Sequence, residues 1–125
     1  MLAVSDGKAA IAFYEAAFGA TLLWHLDYAV AGLSVDGAPF FLAVESPPHG
    51  TRSPGSVSFT TVRIELFVED PRLVHRRALA AGASEHSAVE EHTHTTCGPH
   101  PIRRMLQGAV VDPFGHLWLI GKFLE

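Results

Sequence analysis

The chain has 125 residues, a mass of 13.5 kDa and 48% hydrophobic residues, enough apolar material for one domain with its own core. Charged residues make up 18% of the chain and the net charge is −4, which excludes disorder and a concentrated basic surface for nucleic acid. The longest apolar run, Ala38 to Val44, is seven residues, far short of the roughly 18 that a membrane span requires. The opening residues have no basic stretch before an apolar one, so we expect no secretion signal, and the single cysteine, Cys97, cannot form an internal disulfide. We therefore expect a cytoplasmic protein with no nucleic-acid and no membrane partner.

The first part of the chain predicts a strand, a helix and three further strands. The first strand, Leu2–Val4, is followed by Asp6, a residue type that commonly caps the N-terminus of a helix. Gly19 can adopt the left-handed conformation that ends this helix. Asp36-Gly37 is a hairpin signal between the last two strands of this part. The three strands after the helix are predicted over residues 21–28, 32–35 and 39–45.

Residues 46–58 are rich in proline, glycine and serine, which predicts a linker. After it, Val62–Val68 alternates branched apolar residues with Arg63, Glu65 and Phe67, so one face of this strand packs on a core. Asp70 and Pro71 then begin a helix that ends at Gly82. Ser84–Pro101 is polar and predicted to be irregular, and the last two strands are predicted over residues 102–111 and 116–122.

The two parts resemble each other. Asp6 matches Asp70 at an offset of 64 residues (70 minus 6), and Gly19 matches Gly82 at an offset of 63 (82 minus 19). The pattern predicts a single α+β domain made of two copies of one strand–helix–three-strand unit, each with its helix on one face of a small sheet. We call residues 1–45 module 1, residues 46–58 the linker and residues 59–125 module 2.

Two segments carry a resemblance to a known family. Ala9–Ala20, with its Ala-Ile-Ala-Phe-Tyr and Phe-Gly-Ala, and Val111–Trp118, with its Asp-Pro-Phe-Gly, together resemble the vicinal-oxygen-chelate superfamily. This superfamily includes glyoxalase I, bleomycin-resistance proteins and extradiol dioxygenases. The resemblance implies two βαβββ modules that form a curved mixed sheet around a cleft, commonly completed in a homodimer. It does not name a reaction, because the same fold hosts isomerases, dioxygenases and drug-sequestering proteins.

The resemblance also implies where a metal would be held. Enzymes of the superfamily hold a divalent ion with four His or Glu side chains, one from each of four strands. The matching positions here are Arg63, Leu119, a residue near Phe41, and one that falls ahead of Leu2. A guanidinium stays protonated and offers no lone pair to a cation, and leucine and phenylalanine offer no ligand atom. We therefore expect no metal in the cleft and no cofactor.

The expected cleft is apolar with a few charges, which is the usual composition of a small-molecule site. Arg63 and Glu65 lie on the strand face opposite the core, and two interpretations remain open for them. Either they pair with each other or with a second subunit, or they contact a ligand. The expected ligand-binding residues are Arg63, Glu65, Phe67, Trp24, His25, Phe41 and Leu119.

The chain contains eight histidines, and several lie together in His92–His100, beside Cys97. These are capable zinc or nickel ligands, but their spacing matches no known finger, so a solvated loop is the favoured interpretation. His75 is expected at the surface of the second helix, and His116 is expected to start a strand rather than to act in catalysis.

Three functions remain in competition. The favoured one is a binding protein similar to the bleomycin-resistance branch, in which a homodimer sequesters a drug or another small hydrophobic molecule, as in antibiotic resistance. The alternative is a metal-independent enzyme with Glu65 as general base and Arg63 as the partner of an anionic group. A metal-dependent lyase or dioxygenase is disfavoured by the residues at the ligand positions.

Overall fold

The computed structural model describes residues 1–124, and module 1 contains one helix and four strands. These elements are β1 (Leu2–Val4), α1 (Gly7–Phe18), β2 (Thr21–Leu26), β3 (Val30–Val35) and β4 (Ala38–Val44). The strands lie in the order β1, β4, β3, β2. β1 is parallel to β4, and the other neighbours are antiparallel. The linker then forms a 3₁₀ turn (Pro47–His49) and a short helix, α2 (Pro54–Val57).

Module 2 repeats this arrangement. Its elements are β5 (Arg63–Phe67), α3 (Pro71–Ala81), β6 (Ser84–Thr93), β7 (Arg104–Val111) and β8 (Leu117–Phe123). The strands lie in the order β5, β8, β7, β6, again with one parallel pair, β5 and β8. The predicted α+β architecture of two βαβββ modules is therefore confirmed, and the predicted strand ends differ from the observed ones by at most two residues.

The segment after α3 corrects the sequence-based expectation, because residues 84–93 form strand β6 and not an irregular segment. β6 pairs antiparallel with β7 and lies at the edge of its sheet. Most of its side chains are exposed, so no apolar alternation marks it in the sequence. Backbone pairing with β7 makes this segment a strand, and it supplies the third strand that the repeat requires.

The two long helices, α1 and α3, begin and end where the sequence predicts. Asp6 accepts a hydrogen bond from the Ala9 amide at 3.0 Å, and Asp70 accepts one from the Leu73 amide at 3.1 Å. Each carboxylate thereby satisfies one of the amides that an α-helix leaves unpaired at its N-terminus. Both helices end at glycines in the left-handed conformation. No helix formed by residues 1–124 combines the length and apolar character needed to cross a membrane.

The core lies between the helices and the sheet faces that they cover. α1 packs against α3, and one buried cluster extends over both modules. At its centre the Tyr14 hydroxyl of module 1 donates to Asp112 Oδ2 of module 2 at 2.5 Å, and Trp118 Nε1 donates to the same oxygen at 2.9 Å. Burial, and then the neighbouring Asp112 carboxylate, raise the pKa of Tyr14 far above its ordinary value. The phenol therefore stays protonated and remains a donor to Asp112.

Two histidines also join elements across the fold. His116 lies just before β8 and is buried, and its Nε2 donates to the Ala3 carbonyl of β1 at 2.7 Å. His75, expected at the surface, is instead buried, and its Nε2 donates to the Ser87 carbonyl at 3.1 Å. The reason is β6, which covers this side of α3 and was not predicted as a strand.

Candidate functional site

Each sheet has one face covered by α1 or α3, and we call the opposite face its open face. On β5, Ile64 and Leu66 pack on the core, whereas the side chains of Arg63, Glu65 and Phe67 are exposed on the open face. The alternation in the sequence predicts this orientation. Strand register places Arg63 beside Leu117, and Glu65 beside Leu119.

Arg63 and Glu65 do not form an ion pair with each other, and of the structural interpretation only pairing with a second subunit stays open. Within residues 1–124, neither side chain makes a hydrogen bond or an ion pair, although the two lie only two residues apart on one face. Both are exposed, so water solvates their charges. A ligand on the open face would therefore meet an unpaired guanidinium and an unpaired carboxylate.

Phe67 lies at the far end of the same open face. Its ring stacks on Phe123 with 4.6 Å between ring centroids, and each ring is almost half exposed. Leu119, from β8, lies beside Glu65 in the middle of the sheet and is partly buried. The open face of module 2 thus changes from charged residues at the start of β5 to an aromatic pair at its end.

Trp24 and Phe41 form an aromatic pair on the open face of module 1. Strand register places Gly32 between them, and their ring centroids are 6.1 Å apart. A Cβ at Gly32 would lie 2.7 Å from Trp24 Nε1, so a side chain here would displace the indole. The glycine lets the tryptophan ring lie across the middle strand and reach Phe41.

His25 does not belong to this group. Its strand partner is Ala31, which is wholly buried on the helix-covered side of the sheet. The imidazole stacks on the Tyr28 ring with 4.3 Å between ring centroids, and the Lys8 ammonium from α1 lies over the same ring. The expectation that His25 lines the cleft is therefore corrected: it lies on the opposite face of the sheet from Trp24.

A pocket of about 380 Å³, partly open to solvent, lies between β4 of module 1 and β5 of module 2, and we call it the seam pocket. This volume is within the range of small-molecule sites. The pocket brings together two predicted residues, Phe41 and Glu65, and Glu65 is the one charged side chain in its lining. The alternation of β5 assigns Ile64 and Leu66 to the core, and no pattern in the sequence marks the other lining residues as part of a site. The lining consists of Met1, Leu2, Val35, Ala38, Pro39, Phe40, Phe41, Ile64, Glu65, Leu66 and Trp118.

The side chains at the expected metal positions do not fit a divalent ion. Phe41 and Leu119 occupy equivalent places in the two modules, because Leu42 pairs with Leu2 as Ile120 pairs with Leu66. Neither offers a ligand atom, and Arg63 brings a positive charge. In the part of the chain that the structure describes, no three His, Cys, Asp or Glu side chains converge on a common point.

The histidine-rich segment lies apart from the seam pocket, on β6 and the loop after it. His92 Nε2 donates to the Gln107 carbonyl at 3.1 Å, and the His92 and His94 rings stack with 6.2 Å between centroids. Cys97 is exposed in the loop. The sequence-based picture of one solvated loop changes here, because His92 belongs to a paired strand.

The paired βαβββ modules, with helices on one side and open faces on the other, are the architecture of the vicinal-oxygen-chelate superfamily. The family model of the glyoxalase-like domain matches residues 1–120, and the chain belongs to this family.

Similarity to other protein sequences and to solved structures supports this assignment. An uncharacterized protein of Mycobacterium tuberculosis is 33% identical over an alignment that covers 97% of this chain and 71% of that protein. A solved structure of an Arabidopsis thaliana gene product has 26% identity and a TM-score of 0.70, covering 98% of this chain and 94% of its own. A glyoxalase/bleomycin resistance protein/dioxygenase family enzyme of Burkholderia phytofirmans shares the fold, with 18% identity, a TM-score of 0.68 and coverage of 98% and 94%.

Proposed function

We propose that this protein binds a small, largely apolar molecule in the seam pocket without the help of a metal ion. The observation that carries the proposal is the pocket itself, an apolar cavity of about 380 Å³ with a single unpaired carboxylate, Glu65, in its wall. Burial of apolar ligand surface would supply most of the affinity, and one polar group would orient the ligand. A homodimer in the cytoplasm, with its second subunit completing the cleft, belongs to the same proposal.

Fluorescence can test the pocket, because Trp118 lines it and the chain has only two tryptophans. In a Trp24→Phe background, the neutral dye N-phenyl-1-naphthylamine should accept energy from Trp118 and bind saturably. Adding Ala38→Phe places a ring in the pocket and should weaken binding by tenfold or more. Ala80→Phe, at an exposed position of α3, is the matched control. Equal dye affinity in the two variants would contradict the proposal.

Arg63, Leu119 and Phe41 occupy the positions where a metal-binding relative would have its metal ligands. We therefore expect no stoichiometric metal ion in the cleft. Elemental analysis of protein purified without an affinity tag should find less than one bound ion per chain. A crystal structure with an ion held by side chains of the two open faces would contradict this prediction. An ion on the His92–His100 segment would not, because that segment lies apart from the seam pocket.

The alternative function is a metal-independent enzyme of the same superfamily. It is favoured by Glu65, which is free of side-chain partners among residues 1–124 and lies beside apolar surface, where a carboxylate can act as a general base. Arg63 would stabilise an anionic group formed on the substrate. An enzyme of this kind should lose turnover in Glu65→Gln and keep ligand binding, whereas a binding protein has no turnover to lose.

A further inference from the structure

A second pocket, also of about 380 Å³, lies between the linker and the open face of module 2, and we call it the linker pocket. Its floor is formed by Val111 and Leu117 on the open face, and its wall by the chain from Pro54 to Thr60. It shares no lining residue with the seam pocket. The lining consists of Pro54, Gly55, Ser58, Phe59, Thr60, His86, Val111, Gly115 and Leu117.

The wall of the linker pocket is held in place by specific contacts. The Gly55 amide donates to the Phe114 carbonyl at 2.7 Å, which ties α2 to the turn before β8. Glu45 accepts from the Ser53 amide at 3.0 Å and from the Ser56 hydroxyl at 2.8 Å, and these bonds hold the pKa of Glu45 below its ordinary value. The cavity is therefore preformed and needs no ordering of the linker when a ligand enters.

Phe59, which lines this pocket, and two apolar residues close to it in the chain remain in water. Phe59 is 79% exposed, and Val57 and Val62 are each more than half exposed. A ligand over Val111 and Leu117 would cover part of this surface, and apolar surface removed from water contributes binding energy in proportion to its area. The shape and composition favour a flat, apolar ligand body, such as a bicyclic aromatic ring.

One positive charge lies beside the pocket, that of Arg63, which is not itself a lining residue. Arg63 lies next to Leu117 in strand register, about 4.8 Å away along the hydrogen-bonding direction, and its guanidinium has no partner within residues 1–124. The His86 imidazole lines the other side of the cavity. The lining includes no carboxylate, and Glu65 lies two residues further along β5, beside Leu119. A guanidinium holds a carboxylate through two parallel hydrogen bonds.

We propose that the linker pocket binds an aromatic carboxylate, whose ring lies over Val111 and Leu117 against Phe59 and whose carboxylate pairs with Arg63. This goes beyond the proposed function, because the two pockets are separate and either can be occupied without the other. His86, across the cavity, contributes a second hydrogen-bond donor. Three independent features carry the assignment: a pocket whose wall is held by hydrogen bonds, the exposed Phe59 ring in that wall, and the unpaired Arg63 guanidinium beside it.

Two probes that differ only in charge test this assignment, 2-naphthoate and the neutral 2-naphthalenemethanol. Calorimetry should show that naphthoate binds about tenfold tighter or more, as expected for a hydrogen bond to a charged group. Arg63→Gln should remove this preference and leave the affinity of the alcohol unchanged. Phe59→Ala should weaken both probes equally, and Arg77→Gln, on the exposed side of α3, should change neither. Equal affinities of the two probes for the unmodified protein would overturn the proposal.

Methyl NMR locates the probe. Naphthoate should shift the methyl signals of Val111 and Leu117 and leave those of Val35 and Leu66 in the seam pocket unchanged. Shifts confined to the seam pocket would overturn this inference and leave the proposed function standing, which the Ala38→Phe experiment tests separately. If Phe59→Ala dissociates an oligomer and leaves naphthoate affinity intact, Phe59 is a subunit contact and the inference fails.

Discussion

Asp112 shows how one buried side chain connects the two modules. Its Oδ1 accepts from the Phe114 and His116 amides at 2.9 and 3.0 Å, and its Oδ2 accepts from Tyr14 and Trp118. The carboxylate is only 3% exposed, and a charge so far from water is tolerated because four donors surround it. Two of those donors shape the turn before β8 and one comes from module 1. The same residue therefore orders a turn and ties the modules together.

Tyr14→Phe should lower the free energy of unfolding by about 1.5 to 3 kcal/mol, because it removes a hydrogen bond to a charged acceptor in the core. Urea denaturation followed by circular dichroism measures the change. Tyr28→Phe is the matched control, since Tyr28 is exposed and its hydroxyl makes no hydrogen bond within residues 1–124. If the two substitutions had the same effect, the Tyr14–Asp112 bond would contribute nothing to stability.

Arg63 is the opposite case, an exposed charge with no partner among residues 1–124. Arg63→Ala should leave the melting temperature close to that of the unmodified protein, because exposed and unpaired side chains contribute within about 0.5 kcal/mol. It should weaken binding of a carboxylate ligand such as 2-naphthoate by about 1.5 to 3 kcal/mol. Differential scanning calorimetry and titration calorimetry measure the two effects. A lower melting temperature with unchanged affinity would assign Arg63 a structural role instead.

At the level of elements, the contact between the linker and the turn before β8 depends on two glycines. Gly115 has a positive φ of 94°, and a Cβ on it would lie 2.3 Å from the Gly55 nitrogen. No side chain fits at that distance without moving the backbone. The linker therefore lies directly on the turn, and the position of the linker pocket depends on this close approach.

Gly115→Ala should lower stability by more than Gly98→Ala, which has a comparable φ of 118° but no atom within 4 Å of an added Cβ. Backbone strain of about 1 kcal/mol or more is common to both substitutions, so their difference measures the displacement of the linker. Urea denaturation provides the comparison. Equal losses of stability would show that the linker adapts to the added methyl group without cost.

At the level of the whole molecule, both open faces expose large apolar side chains. On module 1 these include Trp24, Leu26 and Phe41, and on module 2 they include Phe67 and Phe123. Contiguous apolar surface of this kind marks a region that a ligand or another protein covers. The outer strands of the two sheets also leave backbone groups that need cover.

We expect a homodimer, so light scattering at micromolar concentrations should give twice the chain mass of 13.5 kDa. Leu26→Asp, on the open face of module 1, should shift the particle toward the monomer mass. Leu73→Asp, at an exposed position of α3, is the control and should leave the mass unchanged. A particle of 13.5 kDa across the whole concentration range would contradict the prediction.

The sequence alone determined the features that depend on neighbouring residues. Both helix starts follow from Asp6 and Asp70, because a capping carboxylate acts on an amide three residues away. The alternation of β5 places Arg63 and Glu65 on the open face, because side chains along a strand point to alternate sides. The doubled unit and the family resemblance follow from the same local patterns.

The tertiary structure alone decided what depends on distant residues. A bulge in β2 between Leu22 and Trp24 places Trp24 on the open face of the sheet and His25 on the helix-covered face. The reason is that one extra residue in a strand moves every later side chain to the opposite face. β6 is a strand because β7 pairs with it, and its exposed side chains carry no apolar pattern. The seam pocket exists because the two modules bring β4 and β5 together. Its walls come from residues far apart in the chain, and only the folded backbone sets their distance.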